Sequence, residues 1–318
     1  MSIAGVRIGH FTESDAGTGC TVVIPPPGSI GAVDVRGGGP STREIELMQP
    51  LAGEREVTAL LLTGGSAFGL AAAAGVMEWC EREGIGLDVG TARVPIVPAA
   101  AIFDLGVTGN ARRPGPGDAY LACEEASGGT VETGSVGAGT GATTGKVLGQ
   151  KGWCKGGLGY AEETLYNGAT IAALAVVNCF GDVVDDDGAI ISGAWDEGGF
   201  IGTSRWAARN APVHHRLSDS EHTTLICVIT DARLSKIEAG QVARAANAGL
   251  CQAVQPANTS IDGDVSFCIA TGERDANPAV VGLVASAVVA KAVRQGVTGA
   301  TPLRGVPTGA ERRLGQAE

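Results

Sequence analysis

Residues 216–230, RLSDSEHTTLICVIT, place a polar segment directly before an apolar run. An apolar run of this length, bounded by polar residues, predicts a buried β-strand that begins at Thr223 and Thr224. His222 comes immediately before the two threonines. A hydroxyl at the first residue of a rigid strand is well placed to attack the preceding peptide bond, so this stretch raises both a structural and a chemical question.

The rest of the chain mixes strand-like and helix-like segments. Residues 169–184, ATIAALAVVNCFGDVV, predict another buried strand, and DGDVSFCIATG at 262–272 predicts a third. Helices are expected from about Ser235 to Gln255 and through PAVVGLVASAVVAKAVRQ, and Ser66 is expected to cap an Ala-rich helix ending near Gly84. These elements indicate one α/β or α+β layered domain spanning residues 1–318.

Composition narrows the classes of partner. The 318 residues include 50 glycines, 44% are apolar, and the net charge is −11. This acidic balance disfavours nucleic acid and anionic membrane surfaces as partners. No apolar run free of polar residues is long enough to span a membrane, and MSIAGVRIGHF lacks the apolar centre of a secretory signal. Eight cysteines without a CxxC motif read as reduced core residues, so a cytoplasmic protein is expected.

The glycine clusters resemble nucleotide-binding motifs without matching them. GGSAFG lacks the second glycine of GxGxxG, and Val147 occupies the Ser/Thr position of a P-loop in TGATTGKV. No nucleotide or other cofactor is therefore expected. Such glycines more often allow close backbone approach, and their N–H groups are candidate oxyanion donors. The candidates are Gly64, Gly65, Gly137 and Gly139.

Three of the four histidines lie in the polar region from about 185 to 222. His214, His215 and His222 have no acid or cysteine at a recognised ligand spacing, so no metal site is predicted. The sequence instead favours an exposed loop for the region.

The remaining polar residues could carry chemistry. Cleavage before Thr223 would free an α-amine with an unperturbed pKa of about 7.7 to 8.0, able to act as a base for its own hydroxyl. Asp262 and Asp264 would share one face of an extended segment and repel, or they could belong to an Asp-Gly turn. Asn178 could donate to an oxyanion or cap a turn. Lys146 and Lys155 could tune the nucleophile or be surface charges.

Segments in a fixed order across nearly the whole chain carry a family resemblance. They include GVRIGH, GAVDVRGGGPSTRE, LLLTGGSAFGLAAAAGVMEW, VPIVPAAAIFDL, GSVGAGTGATTGK, KGGLG, ALAVVNCFGDVVD, TTLICVITDARLS and IDGDVSFCIATG. The chain resembles the family of L-aminopeptidase/D-esterase, β-peptidyl aminopeptidases and nylon-oligomer hydrolase. The resemblance implies an αββα-type sandwich like that of N-terminal-nucleophile hydrolases. It also implies autocleavage into 1–222 and 223–318, a homotetramer, and hydrolysis of small peptides or amides.

The resemblance also implies residue roles. The nucleophile falls on Thr223, the acidic pair on Asp262 and Asp264, and the strand asparagine on Asn178. The lysine falls on Lys146 or Lys155, with Lys146 slightly favoured.

Two positions depart from the family pattern. His222 replaces the Asn or Gly usual before the nucleophile, and Phe103 stands near a position where some members use tyrosine. These departures support an alternative, an unprocessed relative that binds a small ligand in the same cleft. Thr259, after Asn258, is the next candidate nucleophile should Thr223 not serve.

Overall fold

The protein is described here by a computed structural model that covers residues 1–53, 56–109, 112–210 and 222–315. Within these ranges, ten strands form two five-stranded sheets. In chain order the strands are β1 (Arg7–Glu13), β2 (Thr18–Ile24), β3 (Ile30–Val35), β4 (Ser41–Arg43), β5 (Leu60–Thr63), β6 (Ala99–Ala101), β7 (Gly157–Thr164), β8 (Thr170–Asn178), β9 (Thr223–Ala232) and β10 (Val265–Arg274).

The two sheets differ in how their strands run. Sheet I has the order β1-β2-β5-β6-β4, and only β5 and β6 are parallel. Sheet II has the order β7-β8-β9-β10-β3, and only β9 and β10 are parallel. In sheet II, the parallel strands β9 and β10 are joined by a long crossover that contains a helix, as parallel neighbours require. This crossover returns the chain so that β10 begins at the same edge of the sheet as β9.

The four longest helices of the described residues cover the outer faces of the sheets. They are α1 (Ala73–Arg82), α2 (Pro116–Glu124), α3 (Lys236–Ala253) and α4 (Pro278–Thr298). Ser235 caps α3 in a capping box with Glu238, and Asn277 caps α4 just before Pro278. Helices α3 and α4 lie so close that a Cβ on Gly249 would be 2.1 Å from the Ser286 carbonyl oxygen.

Alternate side chains of each strand enter different apolar layers, as the period of a strand requires. In β9, Leu225, Cys227 and Ile229 face sheet I, whereas Ile226 and Val228 face α3 and α4. In sheet I, the layer packed against α1 and α2 contains Leu61 and Val76 among others. The order of layers is therefore helix, sheet, sheet, helix, which confirms the layered α/β sandwich expected from the sequence.

Helix α4 is long and apolar enough to cross a membrane by length and composition. However, 56% of its most apolar window is buried inside the protein, where it packs against α3, β7 and β8. The helix covers the outer face of sheet II, and the side that it buries against the sheet explains its apolar composition.

Short elements occupy the connections. The short strands are Leu87–Asp88, Arg93–Val94, Thr143–Thr144, Cys154–Lys155, Asp182–Val184, Ile190–Ser192, Trp195–Asp196, Gly199–Phe200 and Val254–Gln255. The short helices are Ser66–Gly69, Leu105–Thr108, Thr203–Asn210 and Gly309–Leu314. Single 3₁₀ turns span Ile45–Met48, Leu70–Ala72, Gly137–Gly139, Lys146–Leu148 and Gln150–Gly152.

Two expectations from the sequence were wrong. Ser66 does not cap a continuous helix: Gly65 holds the cap position, Ser66 is itself helical with φ of +55°, and a 3₁₀ turn separates this segment from α1. The region from 185 to 222 is not simply an exposed loop, because it contains short strands and a helix, and His222 is fully buried.

The sandwich predicts which side chains contribute most to the free energy of unfolding. Phe267 is fully buried between the sheets, so Phe267→Ala should lower the free energy of unfolding by about 3–5 kcal/mol through lost contacts and a cavity. Leu283→Ala on the exposed face of α4 is the control and should change it by no more than about 0.5 kcal/mol. Urea unfolding followed by circular dichroism measures both. Equal losses would contradict this placement of the core.

Candidate active site

Three strand ends meet at one edge of sheet II. Strand β8 ends at Asn178, directly opposite Thr223, the first residue of β9. Strand β10 is parallel to β9, with Val265 beside Leu225, so the residues before β10 lie beside the residues before β9. An isolated bridge between His222 and Asp262 continues that pairing. The sheet thus brings together residues separated by 45 positions (178 to 223) and 39 positions (223 to 262).

The acidic pair fixes the backbone at this edge. Asp264 accepts hydrogen bonds from the Thr224 N–H at 2.6 Å and from the Asn258 N–H at 2.8 Å. Asp262 accepts from the Thr259 N–H at 3.1 Å and from the Thr259 hydroxyl. Both residues are about 1% exposed. They therefore hold the loop before β10 to the start of β9.

Burial also changes the protonation of the pair. It raises the pKa of Asp264 to about 7, and the neighbouring Asp262 carboxylate adds to the shift. Burial raises the pKa of Asp262 as well, against the opposing hydrogen bonds from Thr259. Protonation of Asp264 in a fraction of molecules near neutral pH relieves its repulsion with the neighbouring Asp262 carboxylate.

Gly263, between the two acids, contacts the peptide bond before Thr223. Its N–H donates to the carbonyl oxygen of His222. A Cβ at position 263 would be only 2.5 Å from the Thr223 hydroxyl oxygen, so the close approach requires glycine. Sequence reasoning missed this residue, although a glycine between two candidate catalytic acids was the available signal.

Lys146 binds the asparagine of the β8 end. Its Nζ donates to Asn178 Oδ1 at 2.7 Å and to the Asn178 carbonyl oxygen at 3.2 Å. Burial lowers the pKa of Lys146 to about 7, while Cys179, Asp262 and Asp104 act in the opposite direction. An ammonium with this pKa is deprotonated in a large fraction of molecules near neutral pH, which suits a general base.

Asn178 is held at both ends of its amide. Its Oδ1 also accepts from the Thr143 N–H at 3.0 Å, and its Nδ2 donates to the Phe103 carbonyl oxygen at 3.2 Å. Phe103 therefore contributes a backbone group at the site, although its side chain carries no hydroxyl.

Lys155 occupies a different environment. It is fully buried, and its Nζ donates to three backbone carbonyl oxygens at 2.8 to 3.0 Å, those of Gly139, Ala142 and Gly156. Three acceptors use all three N–H donors of an ammonium. The geometry gives Lys155 a structural function and leaves Lys146 as the lysine at the strand ends.

The four glycines considered as oxyanion donors have their N–H groups engaged. Each donates at 2.8 to 2.9 Å within the protein. For Gly64, Gly65, Gly137 and Gly139 the acceptors are, respectively, the Gly19 carbonyl, the Asp104 carboxylate, the Thr12 hydroxyl and the Val136 carbonyl. In this conformation they build the scaffold around the site, and we assign them no oxyanion role.

Asp104 is a buried acid that sequence reasoning passed over. It accepts from the Thr18 hydroxyl at 2.6 Å and from the Gly65 N–H at 2.8 Å. Burial raises its pKa, and Lys146 is close enough to oppose that shift. The available signal was its position in the segment IFDL, directly after Phe103, a residue that the sequence already singles out.

His222 is fully buried, with its ring centroid 5.0 Å from that of Phe180. Burial, together with Lys146, lowers the pKa of His222 to about 2, so its imidazole is neutral. His214 and His215 lie outside the described residues. Among the residues that the structure describes, no group of three His, Cys, Asp or Glu side chains could hold a metal ion.

Comparisons with known proteins identify the family of the chain. The sequence profile of peptidase family S58 matches residues 1–309. An uncharacterized aminopeptidase of Mycobacterium bovis is 41% identical over 337 residues, covering 96% of this chain and 95% of the relative. A 6-aminohexanoate-oligomer endohydrolase of Paenarthrobacter ureafaciens is 30% identical over 285 residues, covering 85% of this chain and 74% of the relative.

Solved structures share the fold. A β-aminopeptidase of Burkholderia sp. matches with a TM-score of 0.73 at 22% identity, covering 99% of this chain and 91% of that one. An L-aminopeptidase D-Ala-esterase/amidase of Ochrobactrum anthropi, described as a variant of the Ntn hydrolase fold, matches with a TM-score of 0.72 at 18% identity and the same coverage. These likenesses confirm the expected N-terminal-nucleophile type of sandwich.

Removing the buried amine of Lys155 should cost far more stability than removing an exposed lysine amine. Lys155→Met should lower the free energy of unfolding by about 3 kcal/mol or more, because it leaves three buried carbonyl groups without their donor. The exposed Lys291 on α4 is the control, and Lys291→Met should stay within about 0.5 kcal/mol. Urea unfolding measures both. A loss below about 1 kcal/mol for Lys155→Met would contradict its structural role.

Proposed function

The chain belongs to peptidase family S58, and we propose that it is an autoprocessing, aminopeptidase-type amide hydrolase whose nucleophile is Thr223. Membership of this family makes it a peptide or amide hydrolase. One observation carries the finer proposal. Thr223 begins a buried strand opposite Asn178, and the carbonyl just before it accepts a hydrogen bond from Gly263.

The first reaction under this proposal is cleavage of the chain between His222 and Thr223. The Thr223 hydroxyl oxygen attacks the His222 carbonyl carbon, and the C–N bond breaks as the hydroxyl proton passes to the departing nitrogen. Water then hydrolyses the resulting ester, which releases the His222 carboxylate and restores the hydroxyl. The Gly263 N–H supports this step because it stabilises the negative charge that develops on the carbonyl oxygen.

The base for this first cleavage must be a side chain, because the Thr223 nitrogen is still an amide. Lys146 is the candidate that the contacts support. It is bonded to Asn178 opposite Thr223, it is close enough to His222 to lower the pKa of that ring, and burial lowers its own pKa to about 7.

Turnover of substrates follows cleavage. The new α-amine of Thr223 becomes available as a base for its own hydroxyl, and its unperturbed pKa of about 7.7 to 8.0 fits that use. Asp262 and Asp264 lie where they attract an ammonium, either that of Thr223 or that of a substrate. Recognition of a substrate ammonium would direct hydrolysis to the amino end of small peptides or amides.

The alternative of an unprocessed ligand-binding protein has less support. In the intact chain Thr223 is 2% exposed and His222 is fully buried. A ligand therefore reaches Thr223 only after His222 moves, which is what cleavage would permit.

Thr223→Ala should abolish both cleavage and amide hydrolysis, whereas Thr223→Ser should retain both because it keeps a hydroxyl. Mass spectrometry of wild-type protein should show fragments of about 22 and about 10 kDa, in proportion to 222 and 96 residues of a 31.8 kDa chain. Thr259→Ala is the control and should give the same fragments. Cleavage of Thr223→Ala protein, or a fragment beginning at Thr259, would contradict the assignment.

The rate of precursor cleavage should depend on pH through Lys146. Because burial lowers the pKa of Lys146 to about 7, the neutral amine predominates above that pH and the ammonium below it. We expect the rate constant to fall about tenfold per pH unit below 7 and to level off above it. Band intensities during incubation of freshly purified precursor measure the rate.

Two variants separate Lys146 from the acidic pair. Lys146→Met should slow cleavage at least about a hundredfold and remove the inflection near pH 7. Asp264→Asn should keep that inflection, although Asp264 itself has a pKa of about 7. Persistence of the inflection in Lys146→Met protein would contradict this assignment and leave Lys155 and Asp264, whose pKa values burial also brings to about 7, as its source.

A further inference from the structure

His222 is held in a specific pocket of the intact chain. Its imidazole is fully buried, and it packs at an angle of 44° against the Phe180 ring. Phe180 in turn belongs to a small apolar cluster with Val147 and Ala194. The partly buried side chains packed on that cluster are Leu148, Ile201, Trp206 and Ile261. A polar ring thus lies tilted against an apolar wall next to the candidate nucleophile.

The position of His222 matches that of a substrate residue. In the intact chain, Thr223 attacks the carbonyl carbon of residue 222. In the mature enzyme, the same hydroxyl attacks the carbonyl carbon of the residue at the amino end of the substrate. The strand ends that hold the hydroxyl and the Gly263 N–H in the intact chain keep their pairing after cleavage under the proposed function, because only the bond before Thr223 breaks. Two acyl groups placed against the same nucleophile and the same donor direct their side chains into the same space.

We propose that the pocket filled by the His222 imidazole in the precursor receives the side chain of the first residue of the substrate in the mature enzyme. This inference rests on the proposed function. It specifies the substrate class as small peptides or amides whose first residue carries a flat, uncharged side chain of imidazole to phenyl size. Phe180 is the specificity-determining residue, since its ring forms the aromatic surface that the imidazole contacts.

The chemistry of the pocket supports this choice. Aromatic pairs with ring centroids at such distances contribute about 0.5–1.5 kcal/mol beyond the burial of their area, which favours flat rings over branched aliphatic groups. Burial in this pocket is the main cause that disfavours the protonated form of His222. It will disfavour lysine and arginine side chains in the same way, because they remain cationic at neutral pH and a buried charge without a partner is costly.

Cleavage is the event that empties the pocket. Hydrolysis of the ester leaves His222 as a new carboxyl terminus, no longer bonded to β9. Its departure exposes Thr223 and frees the Phe180 ring for a substrate side chain. In the precursor, the site therefore acts on the chain itself. Substitutions of His222 then report which side chains the pocket accepts.

The test compares two reactions of the same site. The cleaved wild-type enzyme is assayed with the p-nitroanilides of L-histidine, L-phenylalanine, L-leucine and L-lysine. We expect kcat/KM to be several-fold higher for histidine and phenylalanine than for leucine, and at least about tenfold higher than for lysine. Precursors carrying His222→Phe, His222→Leu and His222→Lys are then followed by mass spectrometry. Their cleavage rates should fall in the same order.

Phe180→Leu links the two reactions. It should reduce the preference for phenylalanine over leucine to near unity, mainly through KM, and should reduce the advantage of His222→Phe over His222→Leu precursors to the same extent. Phe11→Leu is the control, because Phe11 is a partly buried aromatic residue of β1 that contacts Arg112 away from the strand ends. It should leave both preferences unchanged.

The outcomes separate this inference from the function on which it rests. Hydrolysis of all four amides at similar rates, or precursor rates in a different order from substrate rates, would overturn the shared pocket while leaving the hydrolase intact. An unchanged preference in Phe180→Leu protein would overturn the role of that ring. A cleaved chain that hydrolyses no amide would overturn the proposed function and, with it, the substrate class.

Discussion

The site depends on the parallel pairing of β9 with β10, with β8 antiparallel on the other side of β9. Neighbouring strands lie about 4.7–4.9 Å apart, so three strand ends at one edge place their terminal residues side by side. Asn178, Thr223 and the 262–264 loop meet for this reason alone. The buried layers on both faces of sheet II set its register, because a slip of one residue would turn every apolar side chain of β9 to the wrong layer.

The buried charges at this edge differ in how firmly each is held. Lys155 has its Nζ bonded to three carbonyl oxygens, so its amine is fixed in place as part of the scaffold, whereas Lys146 lies against Asn178 at the strand ends. Burial brings the pKa values of Lys146, Lys155 and Asp264 to about 7, where the charged and neutral forms have similar free energies. Moving a proton onto or off these groups therefore costs little at neutral pH, which is the property that acid–base catalysis requires.

Strand identity is predictable from the sequence, whereas contacts between distant loops are not. The apolar runs alone locate β8, β9 and β10, and the polar residues at the ends of these runs include Asn178 and Thr223. The two lysines both lie in glycine-rich loops, and nothing local distinguishes Lys146, near Asn178, from Lys155, bonded to carbonyls. His222 has polar neighbours that predict exposure, yet it is buried because the pairing with the 262–264 loop begins at this residue.

The role of the glycine clusters also cannot be predicted from the neighbouring residues in the sequence. A glycine-rich segment indicates close backbone approach, but whether its N–H groups point into a cleft depends on acceptors elsewhere in the chain. Gly65 donates to Asp104 across 39 positions, and Gly137 donates to Thr12 across 125 positions. Only the packed sheets bring these acceptors near, so the scaffold role of the glycines emerges at the level of tertiary structure.

Under the proposed function, cleavage changes the charge at the site more than its shape. Strand β9 is held by β8 and β10 from Thr224 onward, so breaking the bond before Thr223 leaves its register unchanged. A new α-amine then lies beside the carboxyl groups of Asp262 and Asp264, whose pKa values burial raises in the precursor. An ammonium there favours ionisation of both, because an opposite charge nearby lowers a carboxyl pKa. The Asp262–Asp264 pair would thus serve two states: partly protonated at Asp264 and holding the loop to β9 before cleavage, and ionised to bind an ammonium afterwards. This dual requirement gives a physical reason for placing two acids on either side of Gly263 at a position where one would suffice to fix the backbone.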